Sequence, residues 1–96
     1  MNEPKKADYI RVWEFATGEN EGRPIHLWLP APELSSPQWL SDVLNGLRKN
    51  HDNIEVTINH KIVLFEDSET FERWMGVSPN LNEALLTACL KYMEAK

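Results

Sequence analysis

The chain of 96 residues has one cysteine, Cys89, and no apolar run that approaches the roughly 18 residues of a membrane-spanning helix. A lone cysteine cannot form an internal disulfide or a multi-thiolate zinc site. The first residues, Met1–Lys6, place no apolar stretch behind their lysines, as a secretory signal would. These features favour a reducing compartment, so we predict a cytoplasmic protein with no membrane partner.

Basic residues are also few, because fifteen acidic residues stand against ten basic ones and give a net charge of −5. Proteins that bind duplex nucleic acid gain most of their affinity from Lys and Arg. The basic residues here are scattered, and only Lys5-Lys6 and Arg48-Lys49 are adjacent. The balance argues against direct nucleic-acid binding and favours another protein as the partner.

Motifs that carry catalytic chemistry are missing as well. The sequence contains neither GxGxxG nor GxxxxGK[ST], and its three histidines lack the HxH or HxxxH spacing of a metal site. Cys89 falls within the apolar arc of a predicted helix, where burial raises a thiol pKa. We therefore expect no catalytic residue, no metal and no cofactor; a small enzyme that uses His60 and Asp67 is a weaker hypothesis.

The first half of the chain predicts two strands and a helix. Tyr9–Phe15 and Ile25–Leu29 are rich in aromatic and branched residues, which is typical of strands. Ser36 can cap a helix, and Pro37 suits its first position. Apolar residues at helical spacing then predict a helix over 36–49, with Gly46 allowing a close approach to the sheet.

The second half predicts a hairpin followed by two helices. Ile54–Ile58 alternates strictly, and a turn at Asn59-His60 would lead into a second strand and pair Val56 with Val63. Asp67 or Ser68 is expected to start a helix that ends at Gly76. Asn80 followed by Glu83 is a capping-box signature for the last helix.

These elements define the predicted fold class, which is α+β. We expect two antiparallel β-hairpins in a small sheet with one packed helix and two C-terminal helices, in the order ββαββαα. Residues 1–7 are polar and predicted to be a flexible N-terminus, and 8–96 form a single domain.

The last predicted helix has an apolar arc of roughly 240°, which is wider than one core-facing side requires. Phe71, Trp74 and Met75 of the preceding element would cover part of it. Alternatively, a self-association stripe of Leu86, Leu90 and Met93 remains free, and a twofold homodimer is the commonest way to bury such a stripe.

An outward-facing contact is expected on the second strand and the loop before it. The predicted partner-binding residues are Trp28, His26, Glu19 and Glu21. The predicted function is a non-enzymatic protein-binding domain that masks a surface of a larger protein, such as an acidic inhibitor of a nucleic-acid-handling enzyme. The alternative is a nucleic-acid-associated regulator with a stacking platform on a sheet, made of Tyr9, Arg11 and Trp13.

Overall fold

A computed structural model describes residues 4–19, 22, 24 and 30–95. Over these ranges the elements are α1 (Pro4–Thr17), α2 (Pro37–Asn50), β1 (Ile54–Asn59), β2 (Ile62–Asp67), β3 (Arg73–Val77) and α3 (Leu81–Ala95). The α+β class is confirmed, but the order ββαββαα is wrong. Within the described ranges, two helices precede a three-stranded antiparallel sheet, and a third helix follows it.

The predicted strand Tyr9–Phe15 lies inside α1. Its buried residues are Val12, Trp13 and Ala16, whose spacing of one and three positions places them on one side of a helix. This side packs on α2, where the Trp13 Nε1 donates a hydrogen bond of 3.1 Å to Asp42 Oδ2. Contacts between the helices thus outweigh the strand propensity of aromatic and branched residues.

The N-terminal expectations have two further outcomes. α1 begins at Pro4, so residues 4–7 of the stretch predicted to be flexible belong to a helix. The second predicted strand, Ile25–Leu29, lies outside the described residues.

The predicted helix over 36–49 is confirmed as α2. Ser36 accepts a hydrogen bond of 3.1 Å from the Trp39 backbone N–H, and Pro37 occupies the first turn. The close approach predicted at Gly46 exists, but its neighbour is α1 and not the sheet. A Cβ atom at Gly46 would collide with the carbonyl oxygen of Ala16.

The predicted hairpin is confirmed as β1 and β2, with a register two residues away from the expected one. Val56 pairs with Phe65, and the connection is His60-Lys61. His60 adopts a left-handed φ of 55° there. Because side chains alternate with a period of two, this shift leaves the predicted inward and outward faces unchanged.

The helix predicted between Asp67 and Gly76 is wrong, because Arg73–Val77 forms β3 beside β2. Asp67 does act as a cap, and its Oδ1 accepts the Glu69 N–H at 2.8 Å. Two backbone hydrogen bonds then close a turn: Phe71 N–H donates to the Asp67 oxygen at 2.7 Å, and Asp67 N–H donates to the Glu72 oxygen at 2.9 Å. The same local signal that begins a helix begins a tight turn here.

The last helix is confirmed as α3. Asn80 Oδ1 accepts the backbone N–H groups of Asn82 at 2.9 Å and Glu83 at 3.3 Å. α3 packs against β2 and β3, and Gly76 allows β3 to approach so closely that a Cβ there would collide with the Ala84 carbonyl. The helices and the inner face of the sheet enclose one core. Its largest fully buried apolar side chains are Trp39, Phe65, Leu47, Leu85, Val12, Val43 and Val63.

None of the helices in the described ranges combines the length and the apolar character needed to cross a bilayer.

Candidate protein-docking surface

The outer face of the sheet carries apolar side chains that the described helices leave uncovered. The helices pack on the inner face, which presents Val63 and Phe65. The outward positions of the two neighbouring strands hold four apolar residues, which we call the open sheet face: Ile62, Leu64, Met75 and Val77. Val77 is 59% exposed and Met75 is 47% exposed.

The four residues of the open sheet face are direct cross-strand neighbours. Ile62 pairs with Val77, and Leu64 pairs with Met75. Directly opposed side chains in an antiparallel sheet lie about 5 Å apart at Cβ, so the four form one continuous apolar patch. Contiguous apolar surface of this kind is typical of interaction sites, whereas single exposed apolar residues are ordinary.

One end of the outer face is charged. Glu55 pairs directly with Glu66 across β1 and β2, and Glu66 lies opposite Arg73 on β3. The Arg73 Nε is 3.4 Å from Glu66 Oε2. An exposed pair of this kind contributes little stability. Because two carboxylates stand against one guanidinium there, the end of the sheet nearest residues 68–72 carries a net negative charge.

The turn between β2 and β3, residues 68–72, presents an aromatic side chain to solvent. Phe71 is 73% exposed and has a φ of 65°. This left-handed conformation costs an L-residue roughly 1–2 kcal/mol. Glu69 and Glu72 flank Phe71, and both are exposed. The turn thus places a bulky apolar group within an acidic surround, next to the charged end of the sheet.

The strain at Phe71 predicts an unusual order of stabilities. We expect Phe71→Gly to be more stable than Phe71→Ala by about 1 kcal/mol, because glycine adopts positive φ without steric cost. At an ordinary position alanine is the more stable of the two. Urea unfolding of both variants measures the difference, and an alanine variant that equals or exceeds the glycine variant would contradict the left-handed turn.

Of the partner-binding residues predicted from the sequence, Glu19 alone lies within the described residues. Glu19 lines a cleft of about 250 Å³ between α1 and α2, together with Asp42 and Lys49. His26, Trp28 and Glu21 lie outside the described residues.

The predicted self-association stripe is partly covered by the same chain. Leu86 is 4% exposed and belongs to the core, whereas Leu90 and Met93 are half-buried and pack against it. Trp74 covers α3 as predicted, with its ring 5.0 Å from that of Tyr92. Phe71 and Met75 were expected to cover α3 too, but both are exposed.

The stacking platform of the alternative hypothesis does not lie on a sheet. Tyr9, Arg11 and Trp13 belong to α1, and the Trp13 side chain is buried. The pair invoked for a small enzyme is also separated, since His60 precedes β2 and Asp67 ends it. Within the described ranges, no group of three or more His, Cys, Asp or Glu residues is placed to hold a metal ion.

Cys89 is fully buried, and desolvation raises the pKa of its thiol to about 12. Because this pKa lies well above that of an exposed thiol, the folded thiol forms far less thiolate at pH 8 than the unfolded one. We expect correspondingly slow reaction with a disulfide reagent in the native protein and rapid reaction in denaturant. Equal rates in the two states would contradict the burial.

The raised pKa of Cys89 also has a consequence for stability. The unfolded thiol ionises near pH 9 while the folded thiol stays protonated. The contribution of the protonated Cys89 thiol to the free energy of unfolding is therefore fully present below pH 9 and is lost as the pH rises towards 12.

A scan against protein-family models and searches of curated proteins and of solved structures give no significant match to this chain.

The open sheet face and Phe71 were not predicted as functional from the sequence. The signal for the former lies in Trp74-Met75-Gly76-Val77, where inward and outward side chains alternate. That alternation becomes meaningful only when the segment is recognised as a strand.

Proposed function

We propose that this chain is a non-enzymatic protein-binding domain that masks a surface of a larger protein through the open sheet face and Phe71. The observation that carries the proposal is the apolar patch of the open sheet face, in which Ile62, Met75 and Val77 are exposed and Leu64 is half-buried, and which the three described helices leave free. Aromatic and methionine side chains are enriched at the centres of protein interfaces.

The charges around this surface indicate the chemistry of the partner. Glu55 and Glu66 border the open sheet face, Glu69 and Glu72 flank Phe71, and the chain as a whole carries a charge of −5. Complementarity calls for an apolar partner surface bordered by Lys and Arg. Surfaces that bind nucleic acid are rich in these residues. An inhibitor of a nucleic-acid-handling enzyme is the particular form we propose, acting in the cytoplasm.

The proposal is tested by capture of partners from the host followed by affinity measurements on purified variants. We expect Val77→Asp and Phe71→Ala each to weaken binding at least about tenfold, since each removes a large exposed apolar side chain from the proposed surface. Thr87→Asp, which adds the same charge at an exposed position on α3, is the matched control and should bind like the wild type.

Two further measurements identify the partner surface. Binding should weaken as salt is added, because the attraction between acidic and basic rims is screened. A photo-crosslinking residue at position 71 should attach to a segment that contains Lys or Arg. Undiminished binding by both variants, or attachment to an acidic segment, overturns the proposal; retention of a protein by the wild type alone does not support it.

A further inference from the structure

The two edge strands of the sheet differ in what contacts their outward backbone groups. With the order β1-β2-β3, both β1 and β3 are edge strands. On β3, the Lys91 ammonium of α3 donates a hydrogen bond of 2.8 Å to the Met75 carbonyl oxygen. A lysine at this position is one of the devices by which proteins protect a strand edge from pairing.

The hydrogen bonds around β2 show which backbone groups of β1 point away from the sheet. The Lys61 carbonyl oxygen accepts from the Ser78 N–H, and the Asp67 N–H donates to the Glu72 carbonyl oxygen, so the backbone N–H and C=O groups of odd-numbered β2 residues point towards β3. The backbone groups of even-numbered β2 residues therefore point towards β1, where their partners are Glu55, Thr57 and Asn59. Because bonding alternates along an antiparallel strand, the N–H and C=O groups of Val56 and Ile58 point outward.

These outward groups of β1 have no hydrogen-bond partner within residues 4–19, 22, 24 and 30–95. The neighbouring Ile54 differs, since its N–H donates to the His51 oxygen at 3.0 Å. The side chains beside the free groups are apolar: Ile58 is 40% exposed and Val56 is half-buried. The β1 edge thus combines unpaired backbone groups with uncovered apolar surface.

We propose that β1 pairs antiparallel with β1 of a second copy of this chain and forms a six-stranded sheet across a twofold axis. Thr57 lies on the axis, and Val56 of each copy pairs with Ile58 of the other. This register uses the N–H and C=O groups of both Val56 and Ile58, which gives four intermolecular hydrogen bonds.

The side chains support this register. Val56 faces Ile58 on the inner side of the joined sheet, and branched residues in direct cross-strand pairs are stabilising. On the outer side of the joined sheet, Thr57 of one copy lies opposite Thr57 of the other. Glu55 lies opposite Asn59, so the pairing brings no two carboxylates face to face. The dimer is independent of the partner surface proposed above, because it uses the β1 edge and leaves the open sheet face free.

The first test is the association state of the full chain by sedimentation. We expect a wild-type dimer and at least about a tenfold higher dissociation constant for Ile58→Pro, which removes an outward N–H from each copy. Because that N–H does not bond to β2, proline is compatible with the edge. Val77→Pro, which makes a comparable change on the outward side of β3, is the matched control and should remain dimeric.

Ile58→Lys is the second variant and applies if Ile58→Pro does not fold. Hydrogen exchange gives a readout without mutation: the amides of Val56 and Ile58 should lose protection on dilution, whereas that of Thr57, bonded within one copy, should keep it. A monomeric wild type overturns the proposal. So does a dimer that survives both Ile58 variants or that is lost only in Leu90→Glu, which would indicate the stripe on α3.

Discussion

Gly76→Ala is expected to lower the free energy of unfolding by about 3 kcal/mol, although it adds only a methyl group. The methyl carbon would collide with the Ala84 carbonyl and would also meet the Ala88 backbone nitrogen at 2.8 Å. Both atoms belong to the backbone of α3, so relief requires the whole helix to move away from β3. In an unobstructed strand the same substitution is stabilising, because alanine restricts the unfolded chain more than glycine does.

Chemical denaturation at equilibrium measures this effect. Val77→Ala is the control at the neighbouring position, where an exposed side chain is shortened, and we expect a change within about 0.5 kcal/mol. A Gly76→Ala midpoint equal to that of the wild type would mean that α3 lies farther from β3 than the structure places it.

Trp39→Ala is expected to cost about 3–5 kcal/mol, because Trp39 is the largest fully buried side chain of the core. The substitution leaves a cavity between α1 and α2. It also removes the indole N–H that donates a hydrogen bond of 3.0 Å to the Tyr9 backbone oxygen. The loss of stability should be largest around α1, so we expect the amides of α1 in the variant to exchange with solvent faster than those of the sheet.

Trp39→Phe separates the two contributions. Phenylalanine keeps most of the packing but lacks the N–H group, so we expect a cost of about 1–3 kcal/mol from the unpaired Tyr9 oxygen and the smaller ring. An alanine variant no less stable than the phenylalanine variant would show that Trp39 does not hold α1 to α2.

The elements predicted correctly have signals contained within the element itself. Ser36 and Pro37 mark the start of α2, and Asn80 marks the start of α3 through hydrogen bonds to the next residues of the same chain segment. The alternation of Ile54–Ile58 likewise depends on its own residues. Short-range chemistry of this kind is legible in a sequence because no distant partner is needed to complete it.

The errors arose where a distant partner decides the structure. Trp13 lies in a helix whose buried side is completed by α2, and its composition alone favours a strand. Asp67 makes the hydrogen bonds of a cap, yet the chain beyond it returns to pair with β2. Neither outcome follows from the residues nearby, since both depend on contacts between separate elements.

The open sheet face could not be predicted for the same reason, because it depends on how separate elements pack. In the predicted arrangement Met75 belongs to a helix that ends at Gly76 and was expected to cover α3, and Val77 lies beyond that helix. As strand residues they point away from α3 and form a patch with Ile62 and Leu64. The position of Phe71 in a left-handed turn is also invisible in the sequence, because a bulky residue is a poor candidate for positive φ.

The hydrogen bond from Lys91 to the Met75 carbonyl has a consequence for the size of any assembly. Lys91 occupies one outward carbonyl in the middle of β3, whereas no described side chain does so on β1, so we expect pairing at the β1 edge alone and an assembly that stops at two copies. Replacement of Lys91 by a shorter residue would free the Met75 carbonyl and leave both edge strands of each copy open to pairing. Further copies could then add at both ends of the assembly without limit. Light scattering should detect filaments of the Lys91 variant, whereas the wild-type chain should remain a dimer.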